Sequence, residues 1–276
     1  MRTRKNKNRT KKIISSLFGG THKYYARFRP GIPKEVIDII VSYFNISPKD
    51  RVLDIGCGTG QVAFVMEGRC GEMVCLDPDS EMLKQARKLT KNSNLKLTWI
   101  NRDSNGLQAI KSEIGIFKVA TICRAFHWMD QEQVLRDLND LIKEDGGIAI
   151  FGDGSFWTGS EKWQQAVRKV VQKYLGEERR AGDKTFKQSD ERWEDIIARS
   201  YFRFVKTRQV SIMRSWNVKS IIGWLFSSSF ARPDYFGDQL SAFERDIKNT
   251  LLSLNPNGVF QEQAVFSVIL ASRKRI

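Results

Sequence analysis

The stretch Arg51-Val52-Leu53-Asp54-Ile55-Gly56-Cys57-Gly58-Thr59-Gly60 decides the fold. Val52, Leu53 and Ile55 form a short apolar run suited to a strand covered on both faces, as strands of parallel sheets are. Gly56, Gly58 and Gly60 follow at alternate positions, where a chain without Cβ atoms can turn sharply and bring its backbone close to a bound molecule. Gln61-Val62-Ala63-Phe64-Val65-Met66 then reads as a helix. Strand, glycine turn and helix in that order open a doubly wound α/β sheet. The turn therefore lies at the carboxyl edge, where such sheets take their ligands.

Spacing separates this turn from other glycine-rich loops. A phosphate-binding loop needs G-x-x-x-x-G-K-[ST], and neither the lysine nor the hydroxyl residue follows here. The dinucleotide fingerprint G-x-G-x-x-G fails as well, because its third glycine falls one residue beyond Gly60. Further on, Glu72-Met73-Val74-Cys75-Leu76 reads as a second strand ending at Asp77-Pro78. An acid at that strand end, roughly 20 residues past the turn, is placed to accept hydrogen bonds from ribose hydroxyls. Asp77 also stands near the start of the next helix, where the dipole favours a carboxylate. Asp79 and Ser80 are better placed for capping, which leaves Asp77 for a ligand.

Together, Asp54-x-Gly56-x-Gly58-x-Gly60 and the acid after the second strand closely resemble the class I S-adenosylmethionine (SAM) dependent methyltransferases. The resemblance implies a Rossmann-like, seven-stranded α/β sheet with helices on both faces and a helical lid insertion. It also implies SAM as the methyl donor and S-adenosylhomocysteine as the product. Asp54, Gly56, Cys57, Gly58, Thr59 and Gly60 are then expected around the methionine part of SAM, and Asp77 with Pro78 at the ribose. Met82 and Arg124 join the expected SAM contacts. Asp103 and Ser104, just past a third strand at 95–100, match the family's adenine-contacting position; an unliganded loop carboxylate is the other reading of Asp103. Tyr25-Ala26-Arg27-Phe28-Arg29-Pro30 resembles the opening motif of one branch. There Tyr25 and Arg29 close over the methionine end and the arginine pairs with its carboxylate. A surface arginine beside a turn is the alternative.

A fourth strand over 117–122 runs into Cys123-Arg124-Ala125-Phe126-His127-Trp128-Met129-Asp130. Phe126-His127-Trp128 resembles the branch acting on small metabolites, including trans-aconitate-type and natural-product enzymes. His127 is the candidate catalytic base, since imidazole with a pKa of about 6.5 accepts a proton from an attacking hydroxyl or amine. A ring that merely orders its loop is the competing reading. Phe126 and Trp128 are expected to border the acceptor, as are Phe156 and Trp157 at the head of the insertion. Asp130 and Gln133 are spaced as a capping-box-like pair for the next helix, and Glu144-Asp145-Gly146-Gly147 reads as its stop before a fifth strand at 148–151. Two positions depart from the family pattern: Asp145 replaces a proline of its usual Lys-Pro-Gly-Gly turn, and Lys118 stands where an acid often opens the fourth strand.

The 276 residues suffice for a full core. No apolar run approaches the roughly 18 residues of a membrane helix. The four cysteines show no metal-ligand spacing, so no metal is expected and a reducing cytoplasmic setting is the simplest compartment. The net charge of +15 is unevenly placed: residues 1–34 carry eleven Lys and Arg with no acid. Arg273, Lys274 and Arg275 add three more, leaving a net of one positive charge for 35–272. Segments 1–20, 21–152, 153–201 and 202–276 are expected to be a basic tail, a SAM-binding half, a helical lid and the sheet-completing remainder. The tail reads as solvated disorder, with RNA or membrane contact and a transit peptide as alternatives. Methyl transfer to an oxygen or nitrogen of a small-molecule acceptor is the expected function. The rivals are an RNA methyltransferase using the basic tail and a noncatalytic SAM-binding protein. Oligomeric state is not legible.

Overall fold

The computed structural model describes residues 17–181, 184–186 and 191–276. The basic run over 1–16 lies outside the described residues. Among the described residues no helix is long and apolar enough to cross a membrane. The described residues divide into two compact units, one within 31–152, 191–210 and 266–276 and one within 17–30, 153–186 and 211–265.

The first unit carries β1 (Arg51–Ile55), β2 (Glu72–Asp77), β3 (Lys96–Asn101) and β4 (Phe117–Cys123), and β5 (Ile142–Asp153) begins in it. These strands pair in parallel, β1 with β2 and β4, β2 with β3, and β4 with β5. Later in the chain come a two-residue hairpin of β6 (Arg180–Ala181) and β7 (Lys184–Thr185), then β8 (Phe204–Asn217) and β9 (Val259–Ser272). The seven-stranded sheet has the order β3-β2-β1-β4-β5-β9-β8, which is the class of sheet the sequence implied. Strand order reverses between β1 and β4, so a crevice opens at their carboxyl ends. Leu53, Ile55, Val74, Leu76, Ala120 and Ile122 are buried strand residues of one apolar core. Burial on both faces explains why these strands read as continuous apolar runs rather than alternating ones.

Two local expectations are corrected, and one element is added. The stretch Glu144-Asp145-Gly146-Gly147 does not stop before the fifth strand; β5 starts at Ile142 and includes it. The glycines are needed for close approach there, since a Cβ on Gly146 would sit 1.9 Å from the Lys118 carbonyl and one on Gly147 would sit 2.2 Å from that of Ala271. In the helix Gln131–Asn139, Asp130 accepts from the Gln133 backbone N–H at 3.1 Å. The Gln133 side chain donates instead to Asp137 at 2.7 Å, so the reciprocal half of the box is absent. Residues 107–114 form a 3-10 turn and a short helix that the sequence pattern did not signal.

The second unit is built on aromatic side chains. Helices Lys162–Leu175, Val218–Phe226 and Leu240–Leu254 share a core containing Phe156, Trp163, Trp216, Trp224, Phe226, Phe236 and Phe243. Asn217 caps the helix it precedes, accepting from the Ser220 backbone at 2.8 Å, as its residue type predicts. One ionic cluster lies among the rings: Arg214 meets Asp153 at 2.6 Å and Glu262 at 3.8 Å, and Glu262 also accepts from the Trp216 indole at 2.8 Å. The expected insertion 153–201 is shared between the units. Its first helix is here, and its second, Trp193–Ala198, packs in the sheet unit.

Candidate functional site

The glycine turn is fastened to the end of β2. Gly56 and Cys57 donate their backbone N–H groups to the Leu76 carbonyl at 2.8 and 3.0 Å. Gly58 donates to Asp77 Oδ2 at 2.8 Å. Those three successive amides are therefore spent inside the protein, and they do not form the amide nest that receives a phosphate. Gly56 has φ of +71°, and a Cβ on it would lie 2.5 Å from that of Ala125. That approach brings the turn after β1 against the turn after β4.

Asp77 clamps two loops. Its Oδ1 accepts from the Asp79 backbone at 2.9 Å while Oδ2 holds Gly58. Capping falls to Asp79, which accepts from Glu81 and Met82 at 2.9 and 3.2 Å. Asn101 donates to the carbonyls of Asp77 and Pro78 at 3.1 and 3.0 Å, fixing the strand end from the β3 side. Sequence reasoning missed Asn101. Its signal was lateral, the parallel register that sets it beside Asp77.

Asp54 is fully buried. Thr121 donates its hydroxyl to Oδ1 at 2.8 Å, and Oδ2 has no hydrogen-bond partner. Burial pushes the Asp54 carboxyl up to about 7, against the pull of the Thr121 hydroxyl, and the Asp77 charge adds to the rise. Burial likewise raises Asp77 to about 6. The Thr59 hydroxyl is also buried without a partner. Two desolvated acids beside spent amides make a site whose chemistry favours a cation bearing hydrogen-bond donors and disfavours an anion.

Other expected residues are placed as follows. Asp103 accepts from the Asn105 backbone at 3.0 Å, and Ser104 is buried beside it in sequence. Met82 is buried on the inner face of its helix. Arg124 has φ of +55°, donates from Nη1 to Gln61 at 2.8 Å and lies 5.2 Å from the Phe266 ring centre. The His127 ring lies parallel to Trp193 at 6.3 Å and 4.7 Å from Trp128. Trp193, on the short helix Trp193–Ala198, thus packs beside the histidine loop. Phe126 is fully buried and meets Trp193 edge-on at 5.5 Å. Its ring lies in the apolar core of the sheet unit.

Tyr25, Arg29, Phe156 and Trp157 belong to the aromatic unit. Arg29 donates to the Ser227 hydroxyl at 2.9 Å and lies over the rings of Trp224 and Tyr25 at 4.5 and 5.0 Å. Phe156 is stacked on Trp224 at 4.0 Å and edge-on to Trp163 and Trp216, both at 4.9 Å. It too is buried in an apolar core. Trp157 is half-buried, 5.3 Å from Phe230.

Residues 52–146 match the family described as "Methyltransferase domain". Among curated proteins the chain is 30% identical over 130 residues to the Saccharomyces cerevisiae "Probable S-adenosylmethionine-dependent methyltransferase CRG1", covering 46% of this chain and 44% of that one. A methyltransferase-named protein of Dictyostelium discoideum is 24% identical over 213 residues, 77% of this chain and 76% of the relative. Apart from that relative, the matches span about half the length of the curated proteins, as with the 54% covered in Mycobacterium bovis. The structure of "a Putative Type II Methyltransferase from Anaeromyxobacter dehalogenans" shares the fold with a TM-score of 0.56 at 16% identity, over 89% of this chain and 98% of that one. A Haemonchus contortus phosphoethanolamine N-methyltransferase, solved with phosphomonomethylethanolamine and S-adenosylhomocysteine, gives a TM-score of 0.53 at 14% identity, over 92% of this chain and 57% of that one.

Proposed function

We propose, for a chain whose residues 52–146 match a methyltransferase domain, that the whole protein is a class I, SAM-dependent methyltransferase that moves a methyl group from SAM to an oxygen or nitrogen of a small-molecule acceptor. The observation that carries the reading is the desolvated acid pair Asp54 and Asp77 beside a glycine turn whose amides are already used. SAM carries a sulfonium and an ammonium, and when bound it supplies an electrophilic methyl group.

The residues fit such a cofactor. Asp54 has one buried carboxylate oxygen without a hydrogen-bond partner, and the Thr59 hydroxyl is buried without one as well, so both have acceptor capacity to satisfy with an ammonium. Asp77 uses one acceptor position on each oxygen for Gly58 and Asp79; a carboxylate has about four, so two remain for ribose hydroxyls. Asp103 and Ser104 are assigned to the adenine. Because a sulfonium is a strong electrophile, alignment of the nucleophile supplies much of the acceleration. His127, whose ring lies beside those of Trp128 and Trp193, is assigned to take the acceptor's proton at its imidazole, and Trp128 to contact the acceptor. The near-neutral charge of residues 35–272 supports a small acceptor over a nucleic acid.

The test is transfer of label from methyl-labelled SAM into cell extract, with products separated by ultrafiltration. Label in the small-molecule filtrate is expected. Label kept with macromolecules and released by ribonuclease overturns the acceptor assignment.

A further inference from the structure

Two largely buried arginine side chains of the aromatic unit are matched by carboxylates. Arg214 has Asp153 and Glu262, and Arg232 is paired through Nε with Asp234 at 2.9 Å. Arg179 breaks the pattern. Its guanidinium lies 4.1 Å from the Phe186 ring centre and 5.5 Å from that of Phe230. Its Nε is buried with no hydrogen-bond partner, and among the described residues no carboxylate pairs with it. Burial, and then the like charge of nearby Arg29, push Arg179 down to about 10. It remains a cation at neutral pH, held between rings, repelled by a second guanidinium and short of an acceptor. A planar donor fork in desolvated surroundings is the arrangement that binds a carboxylate most strongly, through paired charge-assisted hydrogen bonds.

We infer that Arg179, with Arg29 beside it, forms an anion site in the aromatic unit that holds a carboxylate of the methyl acceptor. The Phe186 and Phe230 rings on the Arg179 guanidinium suit a flat, apolar body attached to that carboxylate. The assignment to the acceptor rests on the methyltransferase reading; the anion site itself does not. The same chemistry has a second source, the carboxylate of SAM, which the opening-motif resemblance assigns to Arg29.

Calorimetric titration of the full chain with benzoate, with succinate and separately with SAM distinguishes the sources. Wild type is expected to bind at least one of the two carboxylate probes. Losing a charge-assisted pair corresponds to roughly 10- to 100-fold, so Arg179→Gln is expected to weaken that binding by at least about tenfold. SAM affinity is expected to be unchanged, which also reports that the variant is folded. Arg179→Lys keeps the charge without the planar fork and is expected to fall between; it stays readable if Arg179→Gln does not fold. Failure of both probes to bind wild type overturns the site, as does equal binding by the variants. Parallel loss of SAM and probe means that the anion is SAM's own carboxylate and overturns the acceptor assignment. Absence of SAM binding to wild type sinks the methyltransferase reading and leaves the carboxylate titration to stand alone.

Discussion

Asp54 is buried with one oxygen unpartnered, so its proton governs both stability and ligand preference. Its folded pKa of about 7 lies above the ordinary value of 3.8, so between those values the folded protein holds a proton that the unfolded chain has released. Stability of the free protein is therefore expected to fall as pH rises through that window and then to level off. A bound cation reverses the preference by favouring the carboxylate. SAM affinity is expected to rise as Asp54 ionises, by roughly tenfold between about pH 6 and about pH 8, with protons released on binding. Calorimetry in two buffers of different ionisation enthalpy reads both effects, and Asp54→Asn should flatten the affinity profile. A flat wild-type profile, or an Asp54→Asn variant that binds as well as wild type, removes Asp54 from the cofactor site. Asp54, the glycines and Asp77 were legible because their roles are encoded in spacing along one strand and one turn. Thr121 and Asn101 were not, because they reach Asp54 and Asp77 across the sheet from β4 and β3.

Elements explain the two departures from the family pattern, because they meet. The buried Lys118 ammonium on β4 donates to Asp145 at the start of β5 at 2.8 Å, and the hydrogen bond holds Asp145 below the ordinary carboxylate range. Where the family commonly places a proline, this chain has an acid that meets a lysine on the neighbouring strand. The pairing lies where the β4–β5 register shifts between Phe117 and Val119, so it steadies an irregular stretch of an interior ladder. Asp145→Ala strands a buried ammonium and is expected to cost about 1–2 kcal/mol, whereas Lys118→Met leaves only an exposed acid and should be close to neutral. The double variant should resemble Lys118→Met, a coupling of about 1 kcal/mol by urea denaturation. Additive effects would mean that the contact contributes nothing, as exposed partners often do. This pairing also accounts for the misjudged start of β5: Asp-Gly-Gly reads locally as a break, and only its cross-strand partners make it a strand. The helix at 107–114 escaped for another reason, since Leu107, Ile110 and Ile114 are buried but the segment is too short to show a period.

For the whole molecule, charge placement decides between acceptors. Residues 1–16 hold seven Lys and Arg and no acid, nearly half of the net +15. A run of that composition binds polyanions through counterion release whatever the catalytic unit does, so nucleic-acid affinity alone cannot identify the substrate. Deleting 1–16 separates the two effects. Retention on RNA is expected to weaken and its salt dependence to become shallower, because fewer phosphates are neutralised. SAM affinity and label transfer into the small-molecule pool are expected to stay at the full-length level, since the acids and glycines of the cofactor site belong to residues 54–77. If label instead entered RNA and vanished with the tail, the basic run would be substrate recognition. The neutral body would then be a catalytic unit that borrows its affinity from the chain's first residues, and the small-acceptor assignment would fall.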